Sequence, residues 1–354
     1  MNLIKPLLYK WFHTTLPLTV FLVSLSSCHA VYEDARECPQ GVALRFVYDY
    51  NMEFANAFPS KVHCLTLHVY DGEGNWIAKK TETTDLLADE NYRMEFDLGP
   101  GSYHCIAYGG IECDEKTFSH VNEPSEINYH DILVKLDRDF AESENLHERK
   151  LHDFFWGSAD FTIEPDTYFY QEHKVEMMKN TNSIRVMLQH VDGSPVDVED
   201  FLFEITDDNT AFIHDNSIVA DNGIVYRPWS KGNETVGADN EGENGVTVAY
   251  SELSVSRLMK TNSPTLRIYK NREALTRHDD ADDVVASLPL QDYLPLAKSD
   301  YYESMSDQEY LDRQSDYSLL FFLDKNDKWI NVQIKVGDWT VRVNNAEYKR
   351  GSTD

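Results

Sequence analysis

An alternation of apolar and polar residues recurs along this 354-residue chain, and it limits the possible folds more than any other feature. In residues 42–48, Val42, Leu44 and Phe46 would share one face of a β-strand, because successive side chains of a strand point to opposite faces. The pattern returns at 65–69 and then at intervals of roughly 8–12 residues, which is typical of β-sandwiches. No regular alternation of strands with helices is visible, so the sequence predicts an all-β fold.

The predicted strands fall into two groups, as expected for a chain of this length at roughly 100–200 residues per domain. We therefore expect two tandem β-sandwich domains, an N-terminal one at 28–165 and a C-terminal one at 166–354, whose strands begin near Lys174. Residues 229–245 are rich in Gly, Asn and Glu, which predicts an exposed loop.

The C-terminal part carries two further local signals. Ser306 and Glu309 form a capping box, in which each side chain bonds to the other residue's backbone N–H, so one short helix is predicted from about 307 to 313. Residues 317–323 are apolar almost throughout and predict a central strand of a sheet.

The first 27 residues read as a targeting segment. Lys5 and Lys10 precede the apolar stretch 16–25, which is shorter than the roughly 20 residues that a membrane-spanning helix needs. This order is typical of a secretory signal peptide. Leu25-Ser26-Ser27-Cys28 fits a lipobox, which predicts cleavage before Cys28 and acylation of its thiol. The alternative is an ordinary signal peptide with Cys28 near the cleavage site by chance.

Four cysteines remain after Cys28, namely Cys38, Cys64, Cys105 and Cys113. Export would allow disulfides, and four cysteines permit three pairings, among which the sequence does not choose. The chain has no CxxC pair, so a zinc or redox role for these cysteines is not expected.

The sequence gives no sign of catalysis. It lacks GxSxG and the phosphate-binding GxxxxGK[ST], and His147 and His152 are five residues apart, whereas a helical zinc site needs four. The formal charge of −29 argues against non-specific nucleic-acid binding. We therefore expect no catalytic residues, no cofactor and no metal ion, and we interpret the chain as a non-enzyme.

Asp71-Gly72-Glu73-Gly74-Asn75 resembles the start of a calcium loop, because carboxylate or amide groups occupy alternate positions. Trp76, however, takes the sixth position, where such a loop needs Gly. A turn between two strands of a hairpin is the favoured interpretation.

Several long segments resemble one family. Cys28 is followed by Cys38-Pro39-Gln40-Gly41, and the resemblance continues through LRFVYDYNMEFANAFPSKV (44–62), CLTLHVYDGEGN (64–75), ADENYRMEFDLGPGSYHCIAYGG (88–110) and QEYLDRQSDYSLLFFLDKNDKWINVQIKVGDW (308–339). Together they are similar to the FimB-like fimbrial anchor family of the Bacteroidales, the lipoprotein subunits of type V pili. The resemblance covers nearly the whole chain after the lipobox.

The resemblance implies two transthyretin-like β-sandwich domains and a palmitate-type lipid on Cys28 that holds the protein on the surface of the outer membrane. It also implies a place at the base of a fimbrium, pilin subunits as partners, and a part in ending or limiting fibre growth. Pilins of this superfamily assemble when a strand of one subunit fills a groove in its neighbour.

Two questions stay open at this level. Trp339–Asp354 is a candidate for subunit contact, and its alternative is a last core strand followed by a tail. The alternative function is a surface lipoprotein that acts as an adhesin or glycan-binding module outside any fibre.

Overall fold

The computed structural model describes residues 40–138, 146–165, 169–236, 245–270, 284–337 and 339–344. Within them lie 22 strands in four sheets and three short α-helices, which confirms the predicted all-β class. The strands are β1 (Gly41–Val47), β2 (Leu65–Asp71), β3 (Trp76–Glu82), β4 (Met94–Asp97), β5 (Gly101–Gly109), β6 (Phe118–His120), β7 (Leu133–Leu136), β8 (Leu146–His147), β9 (Phe155–Ile163), β10 (Tyr170–Lys179), β11 (Thr181–His190), β12 (Phe201–Asp207), β13 (Ala211–Ile213), β14 (Ile218–Val219), β15 (Ile224–Tyr226), β16 (Ser230–Val236), β17 (Val246–Ser256), β18 (Thr265–Lys270), β19 (Val284–Pro289), β20 (Asp316–Leu323), β21 (Trp329–Val336) and β22 (Trp339–Asn344). The helices are α1 (Phe58–Lys61), α2 (Leu290–Tyr293) and α3 (Asp307–Arg313).

The first sheet has the order β3-β2-β5-β9-β10-β1-β4, and it curls so that its two edge strands meet. On β3, the Lys80 ammonium donates to the Glu95 carbonyl oxygen of β4 and lies 4.8 Å from the centre of the Phe96 ring. The enclosed face carries alternate residues of the strands, such as the fully buried Leu44 on β1. Phe58 of α1 packs into this core, so the curled sheet and α1 together bury one face of the alternating pattern.

The other face of the curled sheet packs against a four-stranded sheet in the order β14-β13-β7-β6. This small sheet takes strands from both halves of the sequence, since β13 pairs with β7 and places Phe212 opposite Val134. The Phe212 ring meets Phe118 and Phe154 edge-on, with ring centres 6.0 and 5.4 Å apart. The two halves of the chain therefore share one hydrophobic core.

Residues from β11 onward supply most of a second sandwich. Its six-stranded sheet has the order β16-β17-β11-β20-β21-β22, and its five-stranded sheet has the order β19-β18-β12-β15-β8. Alternate residues such as Val186 on β11 and Phe203 on β12 are buried between the sheets. β20 lies between β11 and β21, so the predicted central strand at 317–323 is confirmed.

The predicted helix at 307–313 is confirmed as α3. The Ser306 hydroxyl accepts a hydrogen bond from the Glu309 backbone N–H at 3.1 Å, which is the N-cap half of the capping box. The Glu309 carboxylate accepts from Arg313 Nε at 2.8 Å. Among the described residues, α3 is the longest helix, because α1 and α2 are single turns of four residues.

The prediction of an exposed loop at 229–245 is wrong for residues 230–236. Residues 230–236 form β16, which pairs with β17 at the edge of the six-stranded sheet. Gly, Asn and Glu have low strand propensity, but an edge strand gains its stability from pairing along one side and tolerates such residues. Residues 237–244 lie outside the described residues.

β10 belongs to the first sheet, where it lies between β9 and β1 and runs parallel to β1. The sequence pattern places this strand in the second group, because it shows no sign of a parallel partner 129 residues earlier (170 − 41). The domain division at 165/166 stays a prediction, and we propose that it be moved to follow Lys179.

Cys64 and Cys113 form a disulfide, with 5.9 Å between their Cα atoms and 49 residues between them in the sequence. It fastens the start of β2 to the loop after β5, and a bridge of this kind contributes about 2–4 kcal/mol to stability. Cys105 is a buried free thiol whose pKa is raised to about 12 by burial, so it is not a reactive thiolate. Cys38 lies outside the described residues.

Gly41, the first residue of β1, has no room for a side chain. A Cβ atom there would lie 1.9 Å from the Phe96 carbonyl oxygen on β4. We expect Gly41→Ala to lower the free energy of unfolding by about 3 kcal/mol, at the upper end of the range for overpacking, as measured by urea denaturation. The matched control is Gly99→Ala, since no atom lies within 4 Å of a Cβ at that position. Equal effects of the two substitutions would contradict the prediction.

Candidate functional site

The predicted lipid-attachment residue, Cys28, lies outside the described residues. β1 begins at Gly41, which is 13 residues after Cys28 (41 − 28). An extended chain spans at most about 3.6 Å per residue, so the intervening segment reaches at most about 47 Å. A lipid on Cys28 would therefore hold β1 within about 47 Å of the membrane surface.

β1 is paired along both of its edges. It runs parallel to β10 from Gly41 to Val47 and antiparallel to β4 from Gly41 to Leu44. A pull on the N-terminal segment enters the fold at this strand, and detaching the strand would require both ladders to break. The arrangement suits a chain that is tethered by its N-terminus.

The candidate contact segment at 339–354 begins with β22, and residues 345–354 lie outside the described residues. β22 pairs with β21, with Val343 buried opposite Val332, whereas Thr340 and Arg342 are exposed. This is the last core strand that the alternative predicted. Within the described part of the chain it is also the outer strand of its sheet, with a neighbouring strand on one side only. Both interpretations of this segment therefore stay open.

A cleft of about 430 Å³ lies between the loop after β1 and the region around α3. Tyr48 and Lys179 line it from the first half of the chain, and Tyr302, Arg313 and Asp316 line it from the second. The cleft combines aromatic rings with charged and polar groups, so it offers both ring faces and hydrogen-bonding groups to a ligand.

Arg313, the last residue of α3, reaches across the cleft to the loop after β1. Its guanidinium carbon lies 4.0 Å from the centre of the Tyr50 ring and 4.6 Å from that of Phe54, and its Nη1 donates to the Asp49 and Asn51 carbonyl oxygens at 3.3 and 3.4 Å. A guanidinium can stack on rings and donate to carbonyls at the same time. Arg313 thus joins the loop after β1 to the C-terminal half.

The position of α3 itself is set by a buried ion pair. Asp312 accepts from Nε and Nη2 of Arg257, at the end of β17, at 2.7 and 2.8 Å. Arg257 also donates to the Asn216 carbonyl oxygen at 3.0 Å. Such a two-pronged bond fixes direction as well as distance, so α3 presents Arg313 to the loop in one orientation.

Aromatic side chains are exposed beside the cleft. Phe54 is 50% exposed, has a positive φ of 52° and stacks on Tyr302 with ring centres 6.1 Å apart. Tyr301 is 83% exposed and meets Tyr302 edge-on at 4.9 Å. A positive φ is unfavourable for Phe, and the neighbouring contacts with Tyr302 and Arg313 hold it there. The sequence itself suggests Phe54, with Tyr48 and Tyr50, as a residue that lines a groove. It does not single out Tyr301 and Tyr302, because they come from a segment without strand periodicity.

The Asp71–Asn75 and His147/His152 patterns have ordinary structural positions. Asp71–Asn75 forms the β2–β3 hairpin turn, as predicted, and the Asp71 carboxylate accepts from the Asn75 backbone N–H and side-chain amide and from the Glu73 backbone N–H. These hydrogen bonds lower the Asp71 pKa. His147 lies in β8 and not in a helix, so the pattern with His152 makes no helical zinc site.

In the described ranges, none of the helices combines the length and the apolar character that crossing a bilayer would require.

Sheets packed into sandwiches, an N-terminal strand paired along both edges and an exposed outer strand near the C-terminus define the fold class: an all-β protein built of packed sandwiches. The family model for the fimbrillin-A associated anchor proteins Mfa1 and Mfa2 matches residues 34–345. The chain therefore belongs to this fimbrial anchor family, and the resemblance noted from the sequence is confirmed.

Solved structures agree with this assignment. A candidate adhesin from Bacteroides thetaiotaomicron is 45% identical, with a TM-score of 0.77 over 88% of this chain and 100% of its own. A candidate polysaccharide-binding protein from the same organism is 27% identical, with a TM-score of 0.69 over 87% of this chain and 99% of its own. The fimbrial anchor protein Mfa2 from Porphyromonas gingivalis shares the fold at 14% identity, with a TM-score of 0.59 over 86% of this chain and 99% of its own. Comparison with curated protein sequences gave no significant match.

We expect Arg313→Ala to lower the free energy of unfolding by about 2 kcal/mol, because it removes ring contacts and hydrogen bonds between the two halves of the chain. Arg313→Lys should recover only part of this loss, since an ammonium lacks the planar fork of the guanidinium. Lys325→Ala, in the exposed turn after β20, is the control and should change stability by less than about 0.5 kcal/mol. Full recovery by Lys in urea denaturation would show that charge alone matters.

Proposed function

We propose that this protein is a lipid-anchored fimbrial subunit that attaches a type V fimbrium to the outer membrane through Cys28. The observation that carries the proposal is the combination of the anchor-family match over residues 34–345 with the lipobox that ends at Cys28. Single acyl chains hold proteins only marginally, whereas the several chains of a bacterial lipoprotein hold them durably. The role needs no catalysis.

We also propose that this protein ends or limits fibre growth. A subunit whose N-terminus is bound to lipid cannot move outward along the fibre, so its place is the cell-proximal end. Contact with the neighbouring pilin would use strand complementation, in which backbone hydrogen bonds supply affinity and alternate side chains supply specificity. The edge position of β22 supports its part in this contact, either as acceptor or as part of a donated segment.

A second candidate is a surface lipoprotein that binds a glycan or a host protein outside any fibre. The exposed ring of Tyr301 beside the 430 Å³ cleft favours it, since aromatic rings stack on sugars. Similarity to a candidate adhesin and a candidate polysaccharide-binding protein points the same way. Both candidate functions include lipid attachment, so only a role in a fibre distinguishes them.

Replacing Cys28 by Ala in the native bacterium, with fibres counted on cells and in the medium, separates the two functions. We expect fibres to assemble but to collect in the medium, because the lipid is their attachment to the cell. Cys105→Ala is the matched control, since Cys105 is a buried thiol inside the fold and should leave fibres on the cells. If Cys28→Ala cells export the protein and keep their fibres, the anchor function is contradicted and the binding lipoprotein becomes the better account.

A further inference from the structure

Two histidines face each other between the first two sheets. His68 lies on β2 of the curled sheet and is fully buried, and His120 ends β6 of the four-stranded sheet. Their rings are nearly perpendicular, with centres 5.5 Å apart, and the Tyr108 ring lies 4.9 Å from that of His120. A pair of imidazoles thus occupies the boundary between two layers of an otherwise apolar core.

All four ring nitrogens of this pair are buried and lack a hydrogen-bond partner within the described residues. A neutral imidazole keeps a lone pair on one of its two nitrogens and can offer that nitrogen to a metal ion. A buried polar group without a partner destabilises the fold, and apolar side chains would pack here without that cost. A metal ion bound by one nitrogen of each ring would give two of these four nitrogens a partner.

Glu112 supplies a third group at the same place. It lies in the loop after β5, next to the disulfide residue Cys113, and ligand atoms of His68, His120 and Glu112 all lie within 4.8 Å of one another. Two imidazoles and a carboxylate are a known zinc set, with a fourth position left for water. Bonds of about 2.1 Å in a tetrahedron place ligand atoms about 3.4 Å apart, so side-chain adjustments of about 1 Å would close the site.

We propose that His68, His120 and Glu112 bind one Zn²⁺ ion that joins the curled sheet to the four-stranded sheet. Zn²⁺ suits this set because it accepts nitrogen and oxygen ligands in a tetrahedral geometry. The ion would link the middle of β2 to the loop after β5, whose Cys113 the disulfide already joins to the start of β2. The proposal is independent of the fimbrial role.

Lys79 competes for the carboxylate. Its ammonium lies 3.1 and 3.0 Å from the two Glu112 carboxylate oxygens, and the Thr81 hydroxyl donates to Glu112 at 3.3 Å. Binding of the ion would require Glu112 to exchange Lys79 for Zn²⁺, and the ammonium would oppose the ion by charge repulsion. Removal of the Lys79 charge should therefore strengthen zinc binding at this site. It should not change zinc binding by histidines elsewhere on the surface.

The test is calorimetric titration of the purified, chelator-treated protein with ZnCl₂, with its melting temperature as a second readout. We expect one Zn²⁺ per chain and a rise in melting temperature. Glu112→Gln and His120→Phe should each weaken binding by at least about tenfold, and Lys79→Gln should strengthen it severalfold. Glu115→Gln, an exposed carboxylate three residues further along the same loop, is the matched control and should bind as the wild type does.

If His120→Phe does not fold, Glu112→Gln alone serves as the probe, because Glu112 lies on a partly exposed loop. Absence of a one-to-one zinc complex in the wild type would overturn the proposal. Equal affinity of the wild type, Glu112→Gln and Lys79→Gln would overturn it too, since it would assign the binding to other histidines.

Discussion

Pairing of β7 with β13 is the interaction on which the rest of the structure depends. It joins a strand from the first half of the chain to one from the second, and the phenylalanine rings of Phe118, Phe154 and Phe212 pack around it. Without it, each half would leave an apolar sheet face to water, which costs about 25 cal/mol for every Å² exposed. The shared core makes the two sandwiches one continuous body of packed side chains.

That continuity bears on what an anchor must do. Under the proposed function, a fibre would pull on its base, and the pull would have to pass from the fibre contact to the lipid without separating strands. In this chain the N-terminal segment leads into β1, which has a strand on each side, while β22 lies at the far edge of the C-terminal sheet. Between them lie the shared core and the Arg313 contact, which crosses from α3 to the loop after β1. Under this proposal, the force would pass through cooperative β ladders and buried packing.

Local patterns in the sequence predicted the elements whose stability is local. The alternation in β1 and β2, the Asp71–Asn75 turn and the Ser306 N-cap of α3 each carry their own signal and are all present in the structure. β16 was missed, because its polar residues are held by pairing with β17 and not by their own propensity.

Long-range pairings had no signal in the sequence. The partnership of β10 with β1 joins strands that are 129 residues apart (170 − 41), so no local pattern reports it. The same holds for His68 and His120, which are 52 residues apart (120 − 68), and which individually look like ordinary histidines of two strands. Only the packing of one sheet on another brings their rings together. The family resemblance predicted a fimbrial anchor, but it carried no information about this histidine pair.

The central claim is that this protein stands at the cell-proximal end of the fibre. Immunogold electron microscopy of sheared fibres, with an antibody raised against the purified protein, tests it most directly. The account predicts gold at one end of the fibres and none along the shaft, in amounts far below those of the shaft pilin. Fibres without label, together with label spread over the cell surface, would contradict it.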